Sequence, residues 1–238
     1  MKNNYSIKKI SKTSLCLLVL GTWTLLTCVQ TSPLIIQAQA TEPHSISNYD
    51  YIQKVLEAKL MDNLPDGQFY PEKLISRAEL ASILVKAFYL DKREIAKQKK
   101  AIIVPDVPKY HWAYQDIQTV LKTDIMKGYR GNMFFPNQKV TRAEGLAIFA
   151  QAYGVFQFPD QTINEILRPY PDAAIIPNWA RKAIATVITE EFINTDAQGN
   201  IQPLNPMTRG DMAYLLSKYL QRQKPQAETP VVPTSLQF

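Results

Sequence analysis

Cysteine is nearly missing from this chain: among 238 residues there are two, Cys16 and Cys28. Both lie before Ala40, so a chain that begins after Ala40 has no thiol, no disulfide and no cysteine metal site. Histidine is as scarce, with His44 and His111 alone. Neither belongs to an HExxH pair, no GxSxG nucleophile motif occurs, and no cluster of metal ligands is spaced for binding. The sequence thus implies no metal and no cofactor. Beyond residue 40 no apolar run reaches the roughly 20 residues that a helix needs to cross a bilayer. Nor is there a series of alternating segments of about ten residues, the pattern of a membrane barrel.

Residues 1–40 read as an export signal. Lys2, Lys8, Lys9 and Lys12 form a basic start, Leu15 to Leu26 an apolar core, and Ala38-Gln39-Ala40 a small-x-small cleavage site. A rival reading takes Leu25-Leu26-Thr27-Cys28 as a lipoprotein box with Cys28 lipidated. Cleavage after Ala40 removes four lysines and no acid, so the net charge falls from +6 to +2. The basic balance then belongs mostly to the signal, and a nucleic-acid partner loses its electrostatic support. The 198 remaining residues suffice for a sizeable core.

What is present is a repeat. Ile75-Ser76-Arg77-Ala78-Glu79 recurs as Val140-Thr141-Arg142-Ala143-Glu144 and as Met207-Thr208-Arg209-Gly210-Asp211. Ser or Thr with an acid three residues on is a capping box, which starts a helix. That explains every position except the arginine. A cation in the first helical turn faces the positive end of the macrodipole, at a cost of about 0.3–1 kcal/mol. Something negative should therefore meet it, either an anionic ligand or a carboxylate of the same chain. Because it is neither cap nor apolar stripe, its removal should barely change stability. The copies extend upstream without gaps, as the 28-residue stretches Ile52–Glu79, Ile117–Glu144 and Ile184–Asp211.

Each copy holds two helical apolar patterns, so the expected class is all-α: three tandem helix–loop–helix units with very short strands in the loops. The organisation expected is a signal (1–40), repeat 1 (41–90), a charged linker or helix extension (91–103), repeat 2 (104–156), an inter-repeat segment (157–169), repeat 3 (170–222) and a disordered proline-rich tail (223–238). The first helix should run from Asn48 to Leu60. Gln68-Phe69-Tyr70 and Met133-Phe134-Phe135 are the candidate short strands, and Ile163 to Leu167 a helical turn. Asp106 and Asp172, each beside a proline, read as turn residues.

Asp106-Val107, His111-Trp112-Ala113, Gly128-Tyr129, Phe134, Pro136 and the Val140–Glu144 motif together resemble the S-layer homology domain. Repeat 1 departs with Ser47 at the Trp112 position and Asn63-Leu64 at the Gly-Tyr. Repeat 3 keeps Trp179 but has Thr195-Asp196 at the Gly-Tyr. The resemblance implies a pseudo-threefold helical spindle, exported to the cell envelope, that anchors proteins non-covalently to peptidoglycan-linked secondary wall polysaccharide, often through a pyruvylated sugar. It assigns Arg77, Arg142 and Arg209 to the ligand's carboxylate and Trp112, Gly128 and Tyr129 to supporting places, in grooves between repeats. A guanidinium can grip a carboxylate with two parallel hydrogen bonds, and a helix start adds N–H groups. Plainer readings stand beside these: the tryptophans as core, Gly128 as a positive-φ residue, Tyr129 as packing with a wet hydroxyl. An adaptor that binds another protein is the alternative function. An enzyme on the same polymer is a weaker one, because Glu79, Glu144 and Asp211 are taken up by capping and no carboxylate pair for glycoside hydrolysis remains.

Overall fold

The computed structural model describes residues 50–223. The export signal, Ser47, the start of the first helix at Asn48 and the tail beyond residue 223 lie outside the described residues. Eight α-helices are present among those described: α1 (Asp50–Glu57), α2 (Arg77–Phe88), α3 (Glu94–Gln98), α4 (Tyr114–Lys122), α5 (Arg142–Tyr153), α6 (Asp160–Leu167), α7 (Arg181–Thr189) and α8 (Arg209–Gln223). The all-α class holds. Each repeat supplies one pair (α1/α2, α4/α5, α7/α8), while α3 and α6 occupy the two segments between repeats.

The capping boxes start the second helix of every pair. Ser76 Oγ accepts from the Glu79 amide at 3.2 Å, and Glu79 Oε2 accepts from the Ser76 amide at 2.8 Å. Thr141 and Glu144 repeat this arrangement. In the third copy Asp211 Oδ2 accepts from the Thr208 amide at 2.9 Å and Thr208 Oγ1 from the Asp211 amide at 3.1 Å. α5 stops where Gly154 turns to φ 124°, a value that side chains other than glycine's resist.

The backbone carries the threefold repetition at non-glycine residues. Lys59, Asp124 and Glu191, at matching positions after the first helices, have φ of 55°, 58° and 59°. Tyr70, Phe135 and Gln202, again matching, have φ of 49°, 56° and 56°. The left-handed Lys59 limits the first helix, which ends at Glu57 rather than Leu60. Left-handed Tyr70 and Phe135 likewise break the extended runs expected at 68–70 and 133–135, where no strand forms. Antiparallel bridges occur instead as isolated pairs further on: Ser76 with Lys139, Thr141 with Pro206, and Leu74 with Thr208. Each joins two different repeats.

Packing closes the repeats into a ring. α4 lies on α2, α7 on α5, and α1 on α8, so every first helix packs against the second helix of the preceding repeat. The second helices meet around the fully buried Phe149, whose ring centroid is 5.1 Å from Phe88, 5.9 Å from Phe192 and 5.7 Å from Tyr219. These edge-on pairs are each worth about 0.5–1.5 kcal/mol beyond their burial. Leu80, Ile83, Leu84, Leu146, Ala150, Ile184, Val187, Leu215 and Leu216 fill the core around them, as their periodicity predicts.

Candidate functional site

The three motif arginines are buried, at 4%, 5% and 5% exposure for Arg77, Arg142 and Arg209. Each guanidinium reaches into the loop of the next repeat and donates to main-chain carbonyls there. Arg77 Nε donates to Phe134 O at 2.8 Å and Nη2 to Lys127 O at 2.7 Å. Arg142 Nε donates to Ile201 O at 2.7 Å and Nη2 to Asn194 O at 2.6 Å. Arg209 closes the ring, with Nε to Phe69 O at 2.9 Å and Nη2 to Asp62 O at 2.6 Å. The negative partner that the helix-start cation needs is thus first of all a pair of carbonyl oxygens. Burial lowers the arginine pKa values of Arg77 and Arg209, and nearby Tyr129 and Glu144, or Glu79 and Asp62, oppose the shift.

The helix-start amides are engaged in the same joints. The amides of Arg77 and Ala78 donate to Gln138 O and Pro136 O, those of Arg142 and Ala143 to Asn205 O and Pro203 O, and those of Arg209 and Gly210 to Lys73 O and Pro71 O. Together with the capping bonds, this leaves the guanidinium groups, rather than the amides, to meet a ligand. It also explains the glycine after the third arginine: a Cβ on Gly210 would stand 3.0 Å from Pro71 O.

Each capping acid faces the arginine of the preceding repeat, at different distances. Asp211 Oδ1 is 2.7 Å from Arg142 Nη1, a pair with side chains 15% and 6% exposed. Glu79 Oε1 is 3.9 Å from Arg209 Nη1. Glu144 acts on Arg77 through its charge, and Arg77 Nη1 donates instead to Tyr129 Oη at 3.4 Å. Burial raises the Asp211 pKa. The Arg142 charge and the bonds from Asn194 and Thr208 outweigh it, so the net value is lowered.

The supporting residues regroup. Gly128 and Tyr129 accompany Arg77 rather than Arg142, the Tyr129 ring lying 4.6 Å from the Arg77 guanidinium. Gly128 has no positive φ; a Cβ there would come within 3.1 Å of Met133 O, so the glycine serves a close approach. Trp112 shares with Arg209 a groove of about 150 Å³ also lined by Asp62, Asn63, Leu64, Glu79 and Lys86. Trp112 and Trp179 are 65% and 62% exposed, which removes them from the core, and Tyr129 is 42% exposed. His111 is structural: its Nδ1 accepts from the Ala113 amide at 3.1 Å. Asp106 and Asp172 do more than turn the chain. Asp106 clamps the amides of Phe134 and Phe135 at 2.9 and 2.6 Å, and Asp172 those of Ile201 and Gln202 at 2.9 and 2.6 Å. Each thus holds the loop whose carbonyls take the arginine. Their recurrence at nearly the same distance from the motif, 36 residues before Arg142 and 37 before Arg209, is the signal that could have found them.

Comparison with known proteins follows the same division. The family model for the S-layer homology domain matches residues 42–81, 105–144 and 169–213. The chain is 28% identical over 194 residues to the surface-layer 125 kDa protein of Lysinibacillus sphaericus, covering 79% of this chain and 16% of that protein. It is 26% identical over 168 residues to the cellulosome-anchoring protein of Acetivibrio thermocellus, covering 69% and 36%. An endoglucanase of a Bacillus species is 25% identical over 173 residues, covering 73% and 18%. The chain therefore spans less than two fifths of the length of each of these relatives.

Proposed function

The chain belongs to the S-layer homology domain family, and from that premise we propose that its three repeats are a non-catalytic anchor in the cell envelope, holding an acidic wall polysaccharide. The ligand's carboxylate, such as that of a pyruvylated sugar, meets the guanidinium at the base of an inter-repeat groove. In one groove Arg209 provides the charge and Trp112 an exposed face for a sugar ring. In the next, Arg77 provides the charge with Tyr129 and Gly128 beside it. Arg142 stands at the matching place in the third. Two of the relatives, a surface-layer protein and a cellulosome-anchoring protein, support the same reading.

The observation that carries this reading is an exposed tryptophan and a buried arginine in one groove. An aromatic of this size left in water, next to a guanidinium whose Nη1 has only a distant acid at 3.9 Å, is poised for a ligand with an apolar face and a negative charge. Trp112→Ala, at an exposed position, should leave melting unchanged and lower sedimentation with purified walls about tenfold, equivalent to ~1.4 kcal/mol. Removing pyruvyl groups from the walls should lower binding of the parent protein as much or more. A folded Trp112→Ala protein that binds walls like the parent would refute the groove, and unchanged binding to depyruvylated walls would refute the acidic ligand.

A further inference from the structure

The three grooves are not equivalent, and we infer that the one at Arg142 is closed by the protein's own carboxylate: Asp211 occupies the place of the ligand's acid, so the domain binds two acidic sugars, not three. This rests on the reading that the arginines receive a carboxylate. At Arg142 that contact is already made, since Asp211 Oδ1 lies 2.7 Å from Nη1. Asn194 locks the pair from the other side. Its Nδ2 donates to Asp211 Oδ1 at 2.8 Å, its Oδ1 accepts from Arg142 Nη1 at 3.1 Å, and its carbonyl accepts from Nη2 at 2.6 Å. With the Nε bond to Ile201 O, four of the five donor hydrogens of the guanidinium are engaged, both of those on Nη1 among them, and the parallel pair that would grip a second carboxylate is gone.

The matching residues elsewhere cannot do this. The position of Asn194 is held by Lys127 in repeat 2 and Asp62 in repeat 1, and both give their arginine a hydrogen bond from the carbonyl and none from the side chain. The opposing acids are glutamates: Glu79 stays 3.9 Å from Arg209, and no ion pair of Glu144 with Arg77 is found among the described residues. A second, independent feature sets the third groove apart. Where repeat 2 has the exposed ring of Tyr129, repeat 3 has Asp196, whose carboxylate is bonded to the amides of Gln198 and Asn200 and to the side chains of Asn200 and Gln202. Those bonds, from Asn200 above all, hold it ionised. An acidic sugar entering there would lose the aromatic face and meet a fixed negative charge.

The test counts sites by calorimetry, with a pyruvyl-ketal monosaccharide as probe and its neutral parent sugar as control. The parent protein should bind two equivalents and Asp211→Ala/Asp196→Asn, which removes both the lock and the fixed charge, three, with no binding of the neutral sugar. A parent that binds three, or a folded Asp211→Ala/Asp196→Asn protein that stays at two, overturns the inference. Should Asp211→Ala/Asp196→Asn fail to fold, the double variant Lys127→Asn/Glu144→Asp decides. It builds the Asn–Asp lock around Arg77, where Lys127 is exposed, and should reduce two equivalents to one. A folded double variant that still binds two overturns the inference. A parent that binds no pyruvylated sugar at all removes the acidic-ligand reading itself, and this inference with it.

Discussion

Replacing Arg142 by alanine should be far more damaging than its place in the first turn of a helix implies. The side chain donates to Ile201 O, Asn194 O and Asn194 Oδ1 and pairs with Asp211. Truncation strands a nearly buried carboxylate and two loop carbonyls. Removing one partner of a buried ion pair costs about 3–5 kcal/mol. For a domain whose total stability is ~5–15 kcal/mol, that is a large share. At about 2–4 °C per kcal/mol for a domain of this size, melting should fall by roughly 6–20 °C. Arg142→Lys should recover little of it, because one ammonium cannot serve carbonyls and carboxylate in the same plane. In the double variant with Asp211→Ala the two losses should not add, since the stranded charge goes too; the coupling should lie near the ~3 kcal/mol upper end for residues in contact. Urea titration of the parent, the three single variants and the double variant measures the free energies, and thermal scans measure the fall in melting. A loss below about 1 kcal/mol for Arg142→Ala, the level of an exposed ion pair, would refute the buried-joint account.

Two other perturbations follow from different parts of the molecule. Gly145 faces Met207 so closely that a Cβ there would overlap its thioether sulfur, and Gly145→Ala should cost about 1–3 kcal/mol by overpacking; a variant that melts at the parent's temperature would show that Met207 moves aside freely. Acid should weaken the repeat 3 loop first. Bonds from Asn200, then those from Gln202 and Gln198, lower the Asp196 pKa to about 2 from an ordinary 3.8. A lowered folded value means stability present above about 3.8 that is lost as pH falls towards 2. Asp196→Asn should therefore show a flatter decline across that window in melting scans, and an identical slope would contradict it.

Helix starts and apolar stripes were legible in the sequence because their determinants are local: Ser76 with Glu79, Thr141 with Glu144, and Leu146, Phe149 and Ala150 at helical spacing. The arginines' partners were not. Carbonyl oxygens of Lys127, Phe134, Asn194 and Ile201 carry no side-chain signature, and they lie 50 to 59 residues from the arginines they receive. For the same reason the expectation that stability would barely change on losing Arg142 gives way to the opposite one. A repeat in sequence also leaves open whether a helix clamps its own loop or its neighbour's. Gly128 and Tyr129 therefore read as companions of Arg142 when they belong with Arg77. The missing strands at 68–70 and 133–135 have a local cause that no residue announces, since Tyr70 and Phe135 take a left-handed turn without glycine or asparagine.

The joint at Arg209 bears on how the chain is made. It ties residue 209 to carbonyls at 62 and 69, separations of 147 and 140 residues, and α8 must also find α1. Contacts of such range are entropically expensive to close and slow to form. During synthesis, the amino-terminal repeat emerges with the Asp62 and Phe69 carbonyls awaiting an arginine that comes 140 residues or more later. Repeats 1 and 2 can join through Arg77 as soon as both are out, but the ring cannot shut until the final helix arrives. Vectorial folding of this domain is therefore a two-stage event, an early joint and a late latch, with the interval between them set by the time that the last repeat takes to appear.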